Sequence, residues 1–157
     1  MALHGLDLYH VAWVVPNLSE AMEAFGTTGL RWATPVVRTV IMQTPTTEPT
    51  SVSILVTYSI DDPMHVELIE HCPQSPWQTE ALGIPHHMGW WTDDLHADIE
   101  SLVGEGYQLQ AWMVGDNGKP SRFAYLLNHH GARVELVDRA AEPQLRAWWS
   151  GQPYPPA

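Results

Sequence analysis

One nine-residue pattern occurs twice in this chain. His10-Val-Ala-Trp13-Val-Val-Pro-Asn17-Leu18 aligns with His87-Met-Gly-Trp90-Trp-Thr-Asp-Asp94-Leu95 at a constant offset of 77. Without gaps the match continues to Glu23 over Glu100 and Gly29 over Gly106. Further on, Val66-Glu67-Leu68-Ile69-Glu70 aligns with Val134-Glu135-Leu136-Val137-Asp138 at an offset of 68, so the second copy is nine residues shorter in its middle. The excess falls in Thr44 to Thr50, a Thr/Pro-rich stretch that reads as a long hairpin loop. A chain repeated in this way is two copies of one supersecondary unit.

Both copies read as βαβββ. Tyr9 to Val15 is β-branched and aromatic, as a strand requires. Asn17 caps a helix, and Glu20 three residues on completes a capping box. Leu18, Ala21, Met22 and Phe25 then form one apolar face, and Gly26 and Gly29 end the helix. Arg31 to Gln43, Ser51 to Ser59 and Met64 to Glu70 read as three strands. In copy two the strand is His87 to Thr92. Asp93 or Asp94 caps the helix, and Leu95, Ile99, Leu102 and Val103 are its apolar face. Gln108 to Val114, Arg122 to Asn128 and Arg133 to Asp138 are the remaining strands, with a turn at Asp116-Asn117-Gly118. The expected fold is α+β. It is a single domain over residues 1–157, with module one at 7–71, a linker at 72–85, module two at 86–139 and a tail at 140–157.

The repeat also matches two histidines and two glutamates. His10 and His87 open the first strand of each copy; Glu67 and Glu135 lie in the last strand. His10 to Glu67 spans 57 positions and His87 to Glu135 spans 48. If the two sheets face each other about a pseudo-twofold, all four meet at one point. Two imidazoles and two carboxylates suit a divalent first-row metal and leave positions open for substrate. Taken alone, a Glu in such a strand faces solvent and a strand His is a hydrogen-bonded bystander; four matched coincidences favour a shared site. His86, by strand alternation, points to the opposite face. His129 and His130 sit in a hairpin turn, and His4, His65, His71 and His96 have no partner of the same type in the repeat.

The motif His-His-Met-Gly-Trp-Trp-Thr-Asp-Asp-Leu at 86–95 and Val-Glu-Leu-Val-Asp at 134–138 resemble the vicinal oxygen chelate superfamily. That group includes glyoxalase I, methylmalonyl-CoA epimerase, extradiol dioxygenases, fosfomycin-modifying enzymes and bleomycin-resistance binding proteins. The resemblance covers roughly residues 7 to 139. It implies paired βαβββ modules forming a cupped mixed sheet around a central metal, with His10, Glu67, His87 and Glu135 as ligands of one divalent ion: Ni, Co, Mn, Zn or Fe. The His-Glu-His-Glu set is similar to that of glyoxalase I. The epimerase carries Gln at the second position, where this chain has Glu67, and places a Glu base on the third strand of its first module, where this chain has Ser53.

The chemistry implied is that of an isomerase, epimerase or lyase acting on a carbonyl compound through a metal-stabilised enediolate. Glu135, then Glu67, is the expected base, since Ser53 cannot serve. Trp91, Trp112, Arg122, Tyr125 and Ser53 are expected to face the substrate, with Trp77 a further wall. Small Ala12 and Gly89 share the faces of His10 and His87 and are expected to leave space beside the metal. Two other readings stand beside this one. One is an extradiol-type dioxygenase, which favours Fe(II) on two His and one carboxylate. The other is a metal-free protein that binds an apolar ligand, such as an antibiotic. A merely structural metal is a weaker option.

Composition bounds the partners. Apolar residues make up 45% and charged residues 16%, which excludes a disordered chain. Seven basic against eighteen acidic residues give a net charge of −11, unsuited to nucleic acid or an anionic membrane. Glutathione or CoA thioesters would want several cations, so an uncharged or weakly charged aromatic substrate is equally open. Cys72 is the single cysteine, no apolar run matches a membrane span, and the N-terminus lacks a secretory pattern. A cytoplasmic setting is expected. Exposed sheet edges and the Trp148-Trp149 tail point to a homodimer, with the metal site either within one chain or shared between two.

Overall fold

The computed structural model describes residues 6–78 and 83–155. The first half contains β1 (Asp7–Val15), α1 (Leu18–Gly26), β2 (Val36–Gln43), β3 (Thr50–Tyr58) and β4 (His65–Glu70). The second contains β5 (His87–Thr92), α2 (Leu95–Gly104), β6 (Gln108–Val114), β7 (Pro120–Leu127) and β8 (Arg133–Asp138). A 3₁₀ turn (Arg139–Ala141) and α3 (Glu142–Trp149) follow. The mixed sheet closes in the order β1-β4-β3-β2-β6-β7-β8-β5.

The two halves repeat in detail. β1 pairs parallel with β4, and β5 parallel with β8. Asn17 accepts from the Glu20 N–H and Asp94 from the Ala97 N–H, each satisfying a helix N–H that has no partner within its own helix. Gly29 and Gly106 both adopt φ +93°, the left-handed conformation that ends each helix at low steric cost. Trp13 packs beneath α1 and Trp90 beneath α2, so these repeated tryptophans glue each helix to the outside of its own strands.

The halves meet at two seams. β1 and β5 pair antiparallel over most of their length. β2 and β6 pair only at Met42–Met113 and Gln43–Trp112. That short seam leaves the sheet thinly closed on one side. The largest core cluster fills the interior, and α1 and α2 cover the outside.

The strand starting at Arg31 and the open sheet need correction, while the tail forms the short helix expected of it. The strand expected from Arg31 begins only at Val36. Trp32 makes an isolated bridge to Ser59, and Pro35, which has no N–H to give a ladder, precedes the strand proper. The tail forms an ordered cap: Trp148 and Trp149 are buried, and the Trp148 Nε1–H donates to the Thr34 carbonyl at 2.9 Å. The sheet is closed. Among the described residues, the sheet edges and the two tail tryptophans that suggested a dimer are therefore covered within one chain.

Candidate metal centre

His10 Nε2 and His87 Nε2 lie 3.0 Å apart in the barrel interior. Glu67 Oε2 is 3.2 Å from each of them. Glu135 Oε2 is 3.1 Å from His10 Nε2 and 3.3 Å from His87 Nε2. All four residues are buried, and their ligating atoms lie within 4.8 Å of one another. The group is complete within one chain. A cation about 2.0–2.2 Å from each donor needs neighbouring donors about 3.0–3.4 Å apart in an octahedral or tetrahedral shell. The measured separations suit that requirement. Glu135 Oε2, although close to both imidazoles, has no hydrogen bond of good geometry. Four potential ligand atoms thus crowd one buried point, and this set is able to hold a divalent ion.

The strand registers explain the convergence. Across the β1–β5 seam His10 faces Gly89 and Ala12 faces His87. Ala12 pairs with Glu67 and Gly89 with Glu135 across the parallel ladders. Each small residue thus lies between a His and a Glu, once per module. The space beside Gly89 is not left for substrate as expected: a Cβ there would sit 1.9 Å from His10 Cε1. The missing side chain makes room for the ligand ring itself.

His86 does not point away. It precedes β5, so strand alternation does not govern it. Its Nε2–H donates to the Pro76 carbonyl at 2.7 Å, which leaves Nδ1 as an acceptor. His87 Nδ1–H donates to that nitrogen at 2.8 Å, so in the neutral ring His87 Nε2 carries its lone pair toward the centre. Burial, then the charges of His87 and Arg133, push the His86 pKa down to about 3, and the relay stays neutral. The repeat partner of His86 is Tyr9, whose ring meets His10 edge-on at 4.3 Å. Tyr9 turns inward beside His10 because the β1–β5 register shifts between Leu8 and His10. No periodicity could have revealed it.

Burial opposes charge on His10, but its close contacts with the Glu135 and Glu67 carboxylates override it and raise its pKa to about 9. His87 is raised too, against its burial, by Glu135 and Glu67. Burial raises Glu135, but the His87 charge and contacts with both imidazoles outweigh it and hold the carboxyl at about 2. Glu67 is held low by His10 and His87, again against burial. Burial pushes the phenols of Tyr9, Tyr58 and Tyr125 up, so they are neutral at physiological pH.

Glu67 and Glu135 open into a chamber of about 30 Å³. Of the residues expected to face substrate, Tyr125 and Arg122 line it, as does Trp77, whose indole N–H donates to the Tyr125 hydroxyl at 3.0 Å. Trp91 is buried and stacks on Tyr9 at 3.8 Å, one step back from the chamber. Trp112 packs with the α2 cluster instead. Ser53 is exposed on the outer face of β3, hydrogen-bonded to Thr39 Oγ1 at 2.8 Å. Arg38, which sequence reasoning did not single out, also lines the chamber. Ala141, Leu145 and Tyr154 of the C-terminal cap roof it. A larger cavity of about 530 Å³ lies beyond Tyr125, walled by Thr44, Thr47, Gln74, Gln110 and Arg133. It holds none of the four ligand candidates, so the chemistry belongs to the small chamber. The long copy-one hairpin helps to form the larger cavity's wall.

The sequence pattern of the Glyoxalase/Bleomycin resistance protein/Dioxygenase superfamily matches residues 9–125. The chain belongs to that superfamily. Among solved structures, methylmalonyl-CoA epimerase from Mycobacterium tuberculosis is similar over 88% of this chain and 92% of its own, at 17% identity and a TM-score of 0.54. A hypothetical protein from Bacillus halodurans is similar over 85% and 94%, at 16% identity and a TM-score of 0.53. At such identities these likenesses show the glyoxalase fold alone. No curated protein matches the chain in sequence. Among the described residues of this superfamily member, no helix is long and apolar enough to cross a membrane.

Proposed function

We propose that this chain is a divalent-metal-dependent isomerase, epimerase or lyase that acts on a small carbonyl compound, with a glutamate as base. The convergence of His10, Glu67, His87 and Glu135 on one buried point carries this reading. An ion held there would supply Lewis-acid stabilisation of negative charge on a carbonyl oxygen, worth several kcal/mol.

The chain's own groups do the rest. The carboxylates and phenols at the chamber are buried, so developing charge sits in a poorly solvated place where nearby dipoles act strongly. Tyr58 and Tyr125 present neutral phenols to it. Glu135 is the base: its Oε2 has no hydrogen bond of good geometry, and its carboxylate opens into the same chamber as the Tyr58 and Tyr125 phenols. Against the imidazoles Glu135 is a weak base. Swung away from them it keeps only the burial effect, which strengthens a carboxylate base. It takes the proton from the carbon beside the carbonyl. It returns that proton to the other face of the same carbon, or to the neighbouring carbon.

Two carboxylates fit this chemistry better than ring cleavage, for which the two-His, one-carboxylate set is typical. The test is elemental analysis of the untagged protein beside His10→Ala and Glu135→Ala, followed by solvent deuterium exchange into 2-hydroxy ketones and 2-oxo acids. About one divalent ion per chain, lost in both variants, with exchange that needs no oxygen, is the expected result. No metal uptake from Ni, Co, Mn, Zn or Fe(II) sinks the proposal, and oxygen consumption replaces it with the dioxygenase reading.

A further inference from the structure

Seven basic side chains serve this chain of net charge −11. Three surface arginines lie against carboxylates: Arg31 on Asp61, Arg139 on Asp7 and Asp93, and Arg146 on Glu142 and Asp62. Arg38 and Arg122 have no carboxylate ion pair among the described residues, although acidic groups are abundant. Both line the chamber that Glu67 and Glu135 enter, Arg38 from β2 and Arg122 from β7. They also share an adjoining cavity of about 90 Å³, next to Gln144 and Tyr154.

Most of their hydrogen-bonding capacity is unspent. The Arg38 guanidinium lies 5.0 Å from the centroid of the Tyr154 ring. Arg122 donates once, to Gln144 Oε1 at 2.9 Å. Each guanidinium offers five N–H donors in a planar fork that matches a carboxylate. Arg122 also holds φ +65°, a left-handed conformation that a non-glycine residue rarely adopts. The residue in this conformation is one of the two arginines that line the chamber. Such strain persists where the surrounding structure enforces it and clusters at ligand clamps.

Charge balance supplies the remaining step. A divalent ion offsets Glu67 and Glu135. Arg38 and Arg122 then bring two positive charges to the chamber; Arg122 also borders a surface pocket with Asp93, Asp94 and Asp138, but no carboxylate other than Glu67 and Glu135 lines the chamber itself. Leaving charge in such a place unpaired is costly, and an anionic group on the ligand removes the cost.

We propose that Arg38 and Arg122 form a carboxylate subsite, and that the substrate is a small organic acid whose carbonyl end reaches His10, Glu67, His87 and Glu135 while a second, carboxylate end meets the two guanidinium groups. This rests on the metal-dependent reading above and narrows its substrate class. Chambers of about 30 and 90 Å³ suit a compact planar group better than a nucleotide-bearing thioester. The scarcity of cations is therefore no argument for an uncharged substrate, because two of the seven are placed at the site.

The test compares two five-carbon acids on the Mn²⁺-loaded full-length chain by calorimetric titration. They are 2-oxoglutarate, which carries the distal carboxylate, and 2-oxovalerate, which lacks it. The expected result is a preference of about tenfold or more for 2-oxoglutarate. That preference collapses in Arg38→Met and Arg122→Met and recovers in part in Arg38→Lys, with metal stoichiometry unchanged throughout. Equal binding of the two acids by the unaltered protein overturns the subsite, without recourse to any variant. A preference that survives both Met substitutions overturns it too. Metal uptake without acid preference removes this inference alone, whereas failure to take up metal removes it together with the proposed function.

Discussion

Gly89 and His10 occupy one volume between them. They face each other across the β1–β5 seam, and the His10 ring fills the space a Gly89 side chain would take, with Cε1 1.9 Å from that Cβ position. Gly89→Ala therefore forces His10 out of line. The expected outcome is at least a tenfold loss of metal affinity, with a stability cost of about 1–3 kcal/mol from overpacking. Metal titration and chemical denaturation of the metal-free variant measure the two separately. Unchanged metal affinity would show that His10 is not held where the structure has it.

The His86 relay makes a second prediction. His86→Phe keeps a ring of similar bulk but removes the acceptor for His87 Nδ1–H, which lies 2.8 Å away. Loss of such a supporting partner costs about 10–100-fold in metal affinity. In the Zn²⁺-loaded protein, long-range ¹⁵N correlations are expected to show the His87 proton on Nδ1. A proton on Nε2 would refute the relay.

The raised pKa of His10 predicts how the metal-free protein responds to pH. Its folded value, about 9, lies above the ordinary 6.5. The stabilisation from its charged contacts with Glu135 and Glu67 is then fully present below pH 6.5 and lost as pH rises through about 9. The chelated protein is expected to lose on the order of 2–3 kcal/mol across that window. The metal-loaded protein should show little of this, since a ligand histidine is already unprotonated. By the same linkage, metal binding at neutral pH releases protons, and affinity climbs toward pH 9. Melting curves with chelator and calorimetry in buffers of different ionisation enthalpy check both statements.

The two glutamates are expected to differ in kind. Glu135→Gln should lower kcat by about 10²-fold or more, the contribution of a positioned base. Glu67→Gln should chiefly weaken metal binding. Saturating metal would then restore most activity to Glu67→Gln and little to Glu135→Gln. The reverse pattern would transfer the role of base to Glu67.

Much of the fold was legible because the repeat supplied an internal check. His87–Thr92, Gln108–Val114 and Arg133–Asp138 run over the ranges their composition predicted. Repeat-matched residues kept matched roles, as Trp13 and Trp90 show beneath their helices. The readings that failed depended on which face a residue took. Ser53 lies on the outer face of β3, Trp112 went under α2, and His86 stands behind His87; a register shift also brought Tyr9, on which no expectation rested, inward beside His10. Alternation along one strand cannot register a bulge in its pairing with another.

By itself, the sequence determined the two βαβββ units and the four residues with matched places in them. Local periodicity and capping chemistry act over a few residues, and a repeat carries them twice. Only the tertiary structure decided what those four residues see. Closure of the barrel brought His10 and His87 to 3.0 Å across a separation of 77 positions. It set Gly89 beside the His10 ring, put His86 behind His87, and turned Arg38 and Arg122 into the same chamber. These relations depend on register between strands far apart in the chain. That register is set by how the two interior faces pack together, and no single segment contains it.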